Sequence, residues 1–154
     1  MKLHSEIFEQ PNLLEDLLHN QRSNVEKIAD VVRSRNIEYV YLAARGTSDN
    51  AGRYASYIWG AYNGLPMALA TPSLFTYYHR PVNLKNALVV GISQSGMSPD
   101  IISVVTEGKK QQNLTLAITN APYSPLACEA DFVLDIQAGV EQAVAATKTY
   151  TGEL

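Results

Sequence analysis

The sequence contains almost no cysteine and no long apolar run. Cys128 is the only cysteine among 154 residues, which excludes a disulfide framework, an iron–sulfur cluster and a cysteine-rich zinc site. It lies in an apolar turn, and we expect its side chain to be buried in the core. No apolar run approaches the ~18 residues of a membrane-spanning helix, and the amino terminus does not resemble a signal peptide. We therefore predict a cytoplasmic protein without a membrane partner.

Charge is also scarce, and neither sign dominates. Charged residues make up 18% of the chain and the net charge is −3, with no basic stripe of the kind that binds nucleic acid. The three histidines are scattered without metal-ligand spacing, so no metal is expected. No other cofactor is predicted. Hydrophobic residues account for 46%, which is enough to bury a core and excludes a disordered chain.

Short apolar strands alternate with helical segments along the whole chain. The predicted strands cover residues 39–43, 67–70, 87–92, 114–118 and 132–136. The predicted helices cover residues 6–34, broken early by Pro11, then 49–62, 73–78, a segment capped by Ser98 that reaches about Gln112, and 125–129. None of the strands shows clean in–out alternation, which is typical of strands covered on both faces. The pattern predicts a three-layer α-β-α fold around a five-stranded, parallel, doubly wound sheet.

Ligands of such sheets bind beyond the carboxyl ends of the strands, so the loops after the first, third and fifth strands are the candidate site. The third strand is followed by a loop that holds Ser93, Gln94, Ser95, Gly96, Met97 and Ser98. Hydroxyl groups beside the backbone amides of a helix start favour a bound phosphate. The alternative is a Ser/Gly-rich turn that only caps the helix.

The same loop differs from a nucleotide-binding P-loop in one decisive position. Gly91 and Gly96 have the P-loop separation, but Met97 stands where a lysine must reach the outer phosphates. A monophosphate therefore fits better than a nucleoside triphosphate. There is also no G-x-G-x-x-G fingerprint of a dinucleotide site. We expect Asp100, in the first turn of the following helix, to point away from the phosphate.

The loops after the first and last strands carry the other candidate residues. Gly46, Thr47 and Ser48 precede a helix, with Ser48 or Asp49 as the alternative helix cap. The last loop contains Glu141 and leads to Lys148. Either side chain is a candidate acid–base group, but a solvated carboxylate and a helix-surface lysine are the more frequent case.

Together these loops resemble the SIS (sugar isomerase) family of phosphosugar-binding domains. The motifs are Ala44-Arg45-Gly46-Thr47-Ser48, Gly91-Ile92-Ser93-Gln94-Ser95-Gly96 and Ala145-Ala146-Thr147-Lys148-Thr149-Tyr150-Thr151, preceded by the entry segment Glu6-Ile7-Phe8-Glu9-Gln10-Pro11. The resemblance runs from about residue 6 to the end. Within the family it is strongest to the isomerase portion of the glucosamine-6-phosphate synthases and their relatives without a glutaminase domain.

The resemblance implies a role for each matching residue. Ser93, Gln94, Ser95 and Ser98 would hold the phosphate, and Gly46, Thr47 and Ser48 would complete the pocket. Val144 and Ala146 would line the sugar, where many relatives have serine at the position of Ala146. Met97 replaces a glutamate that is common in the synthases.

The resemblance also implies what the chain does not contain. Residues 1–154 form a single SIS domain, with residues 1–35 as its amino-terminal helices, whereas relatives of this type have a second SIS domain that holds the catalytic Glu, Lys and His. We therefore expect a fragment of a longer enzyme without catalytic residues of its own. Its ligand would be fructose 6-phosphate or glucosamine 6-phosphate, the parent an isomerase, aminotransferase or deaminase, and the assembly a homodimer. The alternatives are a non-catalytic phosphosugar sensor and a flavodoxin-like protein that binds a flavin phosphate.

Overall fold

A parallel five-stranded β-sheet forms the centre of the molecule in the computed structural model, which describes residues 2–154. The strands are β1 (Tyr39–Ala43), β2 (Met67–Leu69), β3 (Ala87–Ile92), β4 (Leu114–Thr119) and β5 (Phe132–Asp135). Their order across the sheet is β2-β1-β3-β4-β5, and all neighbours pair in parallel. The predicted doubly wound α/β fold is confirmed.

Helices cover both faces of this sheet. They are α1 (Lys2–Ser34), α2 (Thr47–Asn63), α3 (Ser73–Thr76), α4 (Pro99–Lys110), α5 (Pro125–Glu129) and α6 (Lys148–Glu153). Side chains of α3, α4 and α5 pack into one hydrophobic core, while side chains of α1 and α2 pack into a second core on the opposite face. These two cores account for the three layers.

Strand β3 shows why the central strands lack in–out alternation. All six of its residues are buried. Val89 belongs to the core beneath α4, whereas Leu88 and Val90 belong to the core beneath α1 and α2. Because both faces are covered, every position of the strand accepts an apolar residue.

Within residues 2–154, no helix has the length and apolarity that crossing a bilayer requires.

Helix α1 differs from the prediction because it runs through Pro11 without a break. A proline inside a helix removes one hydrogen bond and costs roughly 3 kcal/mol. Here contacts made before the proline oppose that cost, since Glu6 and Glu9 bind residues near the other end of the chain. After the proline, the Asn24 side chain donates to the Val133 carbonyl of β5, so tertiary contacts on both sides of Pro11 keep one helix where the local sequence favours two.

Two smaller predictions on this scaffold are wrong. The side chain of Cys128 is exposed rather than buried, because the buried face of the short helix α5 is formed by Leu126 and Ala127. Helix α2 begins at Thr47 with Gly46 at the cap position, so neither Ser48 nor Asp49 is its cap. Asp49 instead pairs with Arg53 on the helix surface.

Candidate functional site

The chain changes direction across the sheet between β1 and β3, and a cavity of about 200 Å³ opens beyond the carboxyl ends of these strands. Residues of the first, third and fifth strand-to-helix loops and of α6 line it. They are Arg45, Thr47, Ser48, Ile92, Ser93, Gln94, Ser95, Ser98, Ala146, Thr149 and Glu153. The three loops singled out from the sequence therefore meet at one site, as expected at the switch point of a doubly wound sheet.

The loop of residues 93–98 places its three serines at one wall of this cavity. The hydroxyl oxygens of Ser93 and Ser98 lie 3.3 Å apart, and the Ser95 hydroxyl accepts a hydrogen bond from the backbone N–H of Met97. Ser98 occupies the cap position of α4, as predicted, but its side chain makes no capping hydrogen bond. The three serines therefore line one space at the start of α4, which is an arrangement suited to an oxyanion.

Arg45 supplies positive charge at the rim of the cavity. Its guanidinium binds the Asp100 carboxylate, with 2.6 Å between Nε and Oδ2. Asp100 itself is not among the lining residues, and its predicted orientation away from a phosphate stays a prediction. The Asp100 charge is compensated, and the start of α4 keeps its favourable interaction with an acidic side chain.

The segment between β5 and α6, residues 136–147, is called the β5–α6 loop below, and Glu141 organises it. The Glu141 carboxylate accepts hydrogen bonds from the backbone N–H groups of Thr147 (2.7 Å) and Lys148 (2.9 Å). It also accepts a short hydrogen bond from the Thr149 hydroxyl. Burial raises the pKa of Glu141, but the hydrogen bonds, led by that from Thr149, outweigh it and lower the pKa below its ordinary value.

Lys148 is not the helix-surface lysine that the sequence predicted. Its side chain is 5% exposed and its ammonium lies 2.8 Å from the Glu9 carboxylate of α1. The prediction of a solvated Glu141 is equally wrong, because that carboxylate is tied to the start of α6. Both side chains are engaged in holding the β5–α6 loop and α6 against the rest of the fold.

Glu6 is a site-organising residue that the sequence did not reveal. It is 4% exposed, and its carboxylate accepts hydrogen bonds from the backbone N–H groups of Gln142 and Ala143 in the β5–α6 loop. Glu6 thus anchors the loop that brings Ala146 to the cavity. The entry segment carried a family resemblance, but a lone glutamate in a helix gives no local indication of a partner 136 residues away.

Glu153 is the second residue that sequence reasoning missed. It lines the cavity from the last turn of α6, and its Oε1 accepts a hydrogen bond of 2.8 Å from the Ser48 hydroxyl. Burial raises the pKa of the Glu153 carboxyl to about 7; the Ser48 hydrogen bond opposes the rise, and the Glu141 charge adds to it. The four-residue spacing from Thr149, which places both on one helix face, was the available signal.

This raised pKa predicts a specific dependence of stability on pH. The native state holds the Glu153 proton more tightly than the unfolded chain, whose ordinary pKa is 4.5. The stabilisation is complete below that value and is lost as pH rises through about 7. Between pH 5 and pH 8, the free energy of unfolding of Glu153→Gln should therefore rise by about 1–3 kcal/mol relative to that of the wild type.

Urea denaturation at both pH values measures this difference. Glu38→Gln is the control, because Glu38 is exposed at the amino end of β1, away from the cavity. It should follow the wild type at both pH values. If Glu153→Gln shows the same difference from the wild type at pH 5 and pH 8, the assignment of a perturbed carboxyl is wrong.

Two predicted site residues lie outside the cavity lining. Val144 is fully exposed at the outer surface of the β5–α6 loop. Gly46 forms the turn before α2 with a φ of 58°. It positions Thr47 and Ser48 and is not itself part of the cavity lining.

Within residues 2–154, no group of three or more His, Cys, Asp or Glu side chains is arranged to hold a metal ion.

Comparison with known proteins gives one consistent family. The model of the SIS domain matches residues 35–154. The glutamine–fructose-6-phosphate aminotransferase (isomerizing) of Shouchella clausii strain KSM-K16 is 35% identical over 153 residues, which cover 97% of this chain and 25% of that protein. The chain thus spans about a quarter of the length of such curated relatives.

Two solved structures are similar to this chain both in fold and in sequence. A crystal structure from Silicibacter pomeroyi DSS-3, of a protein suggested to be a phosphosugar isomerase, is 38% identical with a TM-score of 0.95. The match covers 99% of this chain and 46% of that one. The carboxy-terminal domain of glucosamine–fructose-6-phosphate aminotransferase from Francisella tularensis is 30% identical with a TM-score of 0.86, covering 99% and 44%.

Proposed function

The chain belongs to the SIS domain family, and from this premise we propose that it binds a sugar phosphate in the cavity beyond β1 and β3. The observation that carries the proposal is the wall of three serine hydroxyls, which stands beside the first turn of α4. Neutral hydroxyl donors at the start of a helix bind a phosphate group without a dedicated lysine.

A monophosphate is the ligand class that this wall favours. Met97, at the place of the P-loop lysine, is an exposed apolar side chain and is not part of the cavity lining. The nearest cation, Arg45, already pairs with Asp100. A triphosphate would bring more negative charge than these groups compensate. We therefore favour a hexose 6-phosphate over a nucleotide or a flavin phosphate.

The residue assignments place the phosphate at the serines and the sugar towards the β5–α6 loop. Ser93, Gln94, Ser95 and Ser98 are proposed to hold the phosphate, and Thr47 and Ser48 are proposed to close the pocket on the side of α2. Ala146 lines the cavity where the sugar would lie. A sugar contact of the exposed Val144 would require the ligand to extend beyond the cavity.

For the whole protein we propose a sugar-phosphate isomerase or aminotransferase, as in the relatives named above, or a deaminase of sugar phosphates. Such reactions need a positioned proton-transfer group. Of the two acid–base candidates named from the sequence, Glu141 accepts hydrogen bonds from four donors and Lys148 pairs with Glu9. We therefore assign binding to this domain and, as the family resemblance implies, the main proton transfer to another part of the enzyme; Glu153, which lines the cavity with a pKa of about 7, is the remaining ionisable candidate within this domain. The alternative function is a non-catalytic phosphosugar sensor. We also propose that the protein is cytoplasmic, forms a homodimer and has no nucleic-acid partner.

The test of the proposed function is the variant Ser95→Ala. It removes one hydrogen bond to a charged oxygen and should weaken fructose 6-phosphate or glucosamine 6-phosphate binding by about 1.5–3 kcal/mol. Titration calorimetry on the wild type and the variant measures this loss. Ser103→Ala is the matched control, because its hydroxyl binds the Pro99 carbonyl of its own helix.

The same titrations include inorganic phosphate, ATP and FMN. Binding of the sugar phosphates with loss in Ser95→Ala alone is the expected pattern. Tight binding of only ATP or FMN would overturn the proposal, as would a folded Ser95→Ala variant with undiminished sugar phosphate affinity.

A further inference from the structure

One positively charged side chain lines the cavity together with the three serines. Among the lining residues within 2–154, Arg45 is the only Lys, Arg or His. The register of the sheet places it beside the serine loop, because Ala43 of β1 lies opposite Gly91 of β3, and Arg45 and Ser93 each follow two residues later. Since paired strands run about 4.8 Å apart, Arg45 and Ser93 leave the sheet as neighbours.

The pairing with Asp100 uses only part of the Arg45 guanidinium. Nε donates to Oδ2 of Asp100 at 2.6 Å, and the hydrogen bonds of the Arg45 side chain within residues 2–154 involve Nε alone. A guanidinium has five N–H donors in a planar fork. The four N–H groups on Nη1 and Nη2 are therefore not used by the protein, and such a fork matches two oxygens of a phosphate.

Asp100 holds the guanidinium without being part of the cavity lining. It lies in the first turn of α4, and its side chain is 27% exposed against 60% for that of Arg45. A fixed Nε restricts the long Arg45 side chain before a ligand arrives, which lowers the entropic cost of binding. The ion pair is neutral overall, so it supplies donors to one phosphate without the surplus positive charge that a triphosphate needs.

We propose that Arg45 is a phosphate-binding residue and that Asp100 is the residue that positions it. Nη1 and Nη2 would donate a pair of hydrogen bonds to the phosphate that the serines of the Ser93–Ser98 loop also bind. This inference rests on the proposed function, because it needs a phosphate at those serines. It adds a charged, bidentate contact to a phosphate site whose other assigned residues are neutral.

Titration calorimetry with fructose 6-phosphate and glucosamine 6-phosphate tests this contact. Arg45→Gln should weaken the binding of both ligands by about ten- to hundredfold, the range of hydrogen bonds to a charged group. The factor should be the same for both ligands, because they share the phosphate. Arg45→Lys should recover only part of the loss, since an ammonium lacks the fork. Arg53→Gln is the matched control, because Arg53 forms a similar exposed pair with Asp49 and does not line the cavity.

Asp100→Asn separates a ligand contact from a merely structural ion pair. It removes the charge that pairs with Arg45 and keeps the shape and one acceptor oxygen. If the pair only joined the loop after β1 to α4, losing either partner would weaken ligand binding equally. A contact between Arg45 and the ligand predicts a much larger loss in Arg45→Gln than in Asp100→Asn. Exposed ion pairs add little to stability, so both variants should fold.

The outcomes distinguish this inference from the proposed function. If the wild type binds the sugar phosphates and Arg45→Gln binds them as tightly, the proposed function stands and the role of Arg45 is wrong. Equal losses in Arg45→Gln and Asp100→Asn, full recovery in Arg45→Lys, or different factors for the two ligands would each overturn the inference as well. If the wild type binds neither ligand, the proposed function itself fails.

Discussion

Replacing Gly96 by alanine should lower the free energy of unfolding by about 2–4 kcal/mol, the sum of a strained backbone and an overpacked contact. Gly96 has a φ of +62°, in the left-handed region that side chains disfavour. A Cβ atom at this position would lie 1.9 Å from the Ser124 hydroxyl oxygen and 2.4 Å from the Ser124 Cβ. Urea denaturation of both proteins measures the loss.

Gly46→Ala is the control that separates the two causes. Gly46 has a similar φ of +58°, but a Cβ there would meet nothing within 4 Å. It should therefore cost only the conformational part, about 1 kcal/mol. Adding Ser124→Gly to Gly96→Ala should recover part of the larger loss. Equal losses for the two alanine variants would show that contact with Ser124 is not what requires glycine at position 96.

The close approach at Gly96 also explains how the serine loop keeps its shape. The Gly96 carbonyl accepts a hydrogen bond from the Leu126 N–H (3.1 Å), and the Gln94 carbonyl accepts one from the Asn120 N–H (3.1 Å). The loop is thus held by α5 and by the residue that follows β4. Pinned hydroxyls lose little entropy when a phosphate binds, which favours affinity.

Local sequence patterns were sufficient to predict the scaffold and the serine wall. The bounds of β3 and the start of α4 agree with the structure, because an uncharged apolar run and a Ser-Pro helix start are local features. The serines follow β3 directly, and parallel topology places strand ends together. Every residue needed for that inference lies within a few positions of its neighbour in sequence.

The residues that the sequence did not reveal act over long distances along the chain. Lys148 binds Glu9, 139 residues earlier, and Ser48 binds Glu153, 105 residues later. Neither partner belongs to a periodic pattern, so nothing local distinguishes a buried, paired side chain from a solvated one. The same reason explains Pro11, since the contacts that hold the helix on its amino-terminal side come from the far end of the chain.

Glu6→Ala should detach the β5–α6 loop from α1 and is the most informative change outside the cavity. The substitution leaves two backbone N–H groups, those of Gln142 and Ala143, without their carboxylate acceptor. Each unsatisfied donor costs about 1–3 kcal/mol, so we expect a total loss of about 2–6 kcal/mol where the loop cannot rearrange. Since the loop carries Ala146 to the cavity, sugar phosphate affinity should fall as well.

Hydrogen exchange distinguishes this local effect from general destabilisation. In Glu6→Ala the amides of Gln142 and Ala143 should exchange about ten- to a hundredfold faster, which corresponds to the loss of roughly one charge-assisted hydrogen bond each. The amides of β3, which is buried on both faces, should change their exchange rate only as far as the global free energy of unfolding changes. Glu6→Gln should give a smaller effect, because the amide oxygen still accepts one hydrogen bond. Glu26→Ala, which removes an exposed pair with Arg22 on the same helix, should leave the loop unchanged. Exchange at Gln142 and Ala143 that matches the wild type would show that other contacts, such as Lys148 with Glu9, hold the loop without Glu6.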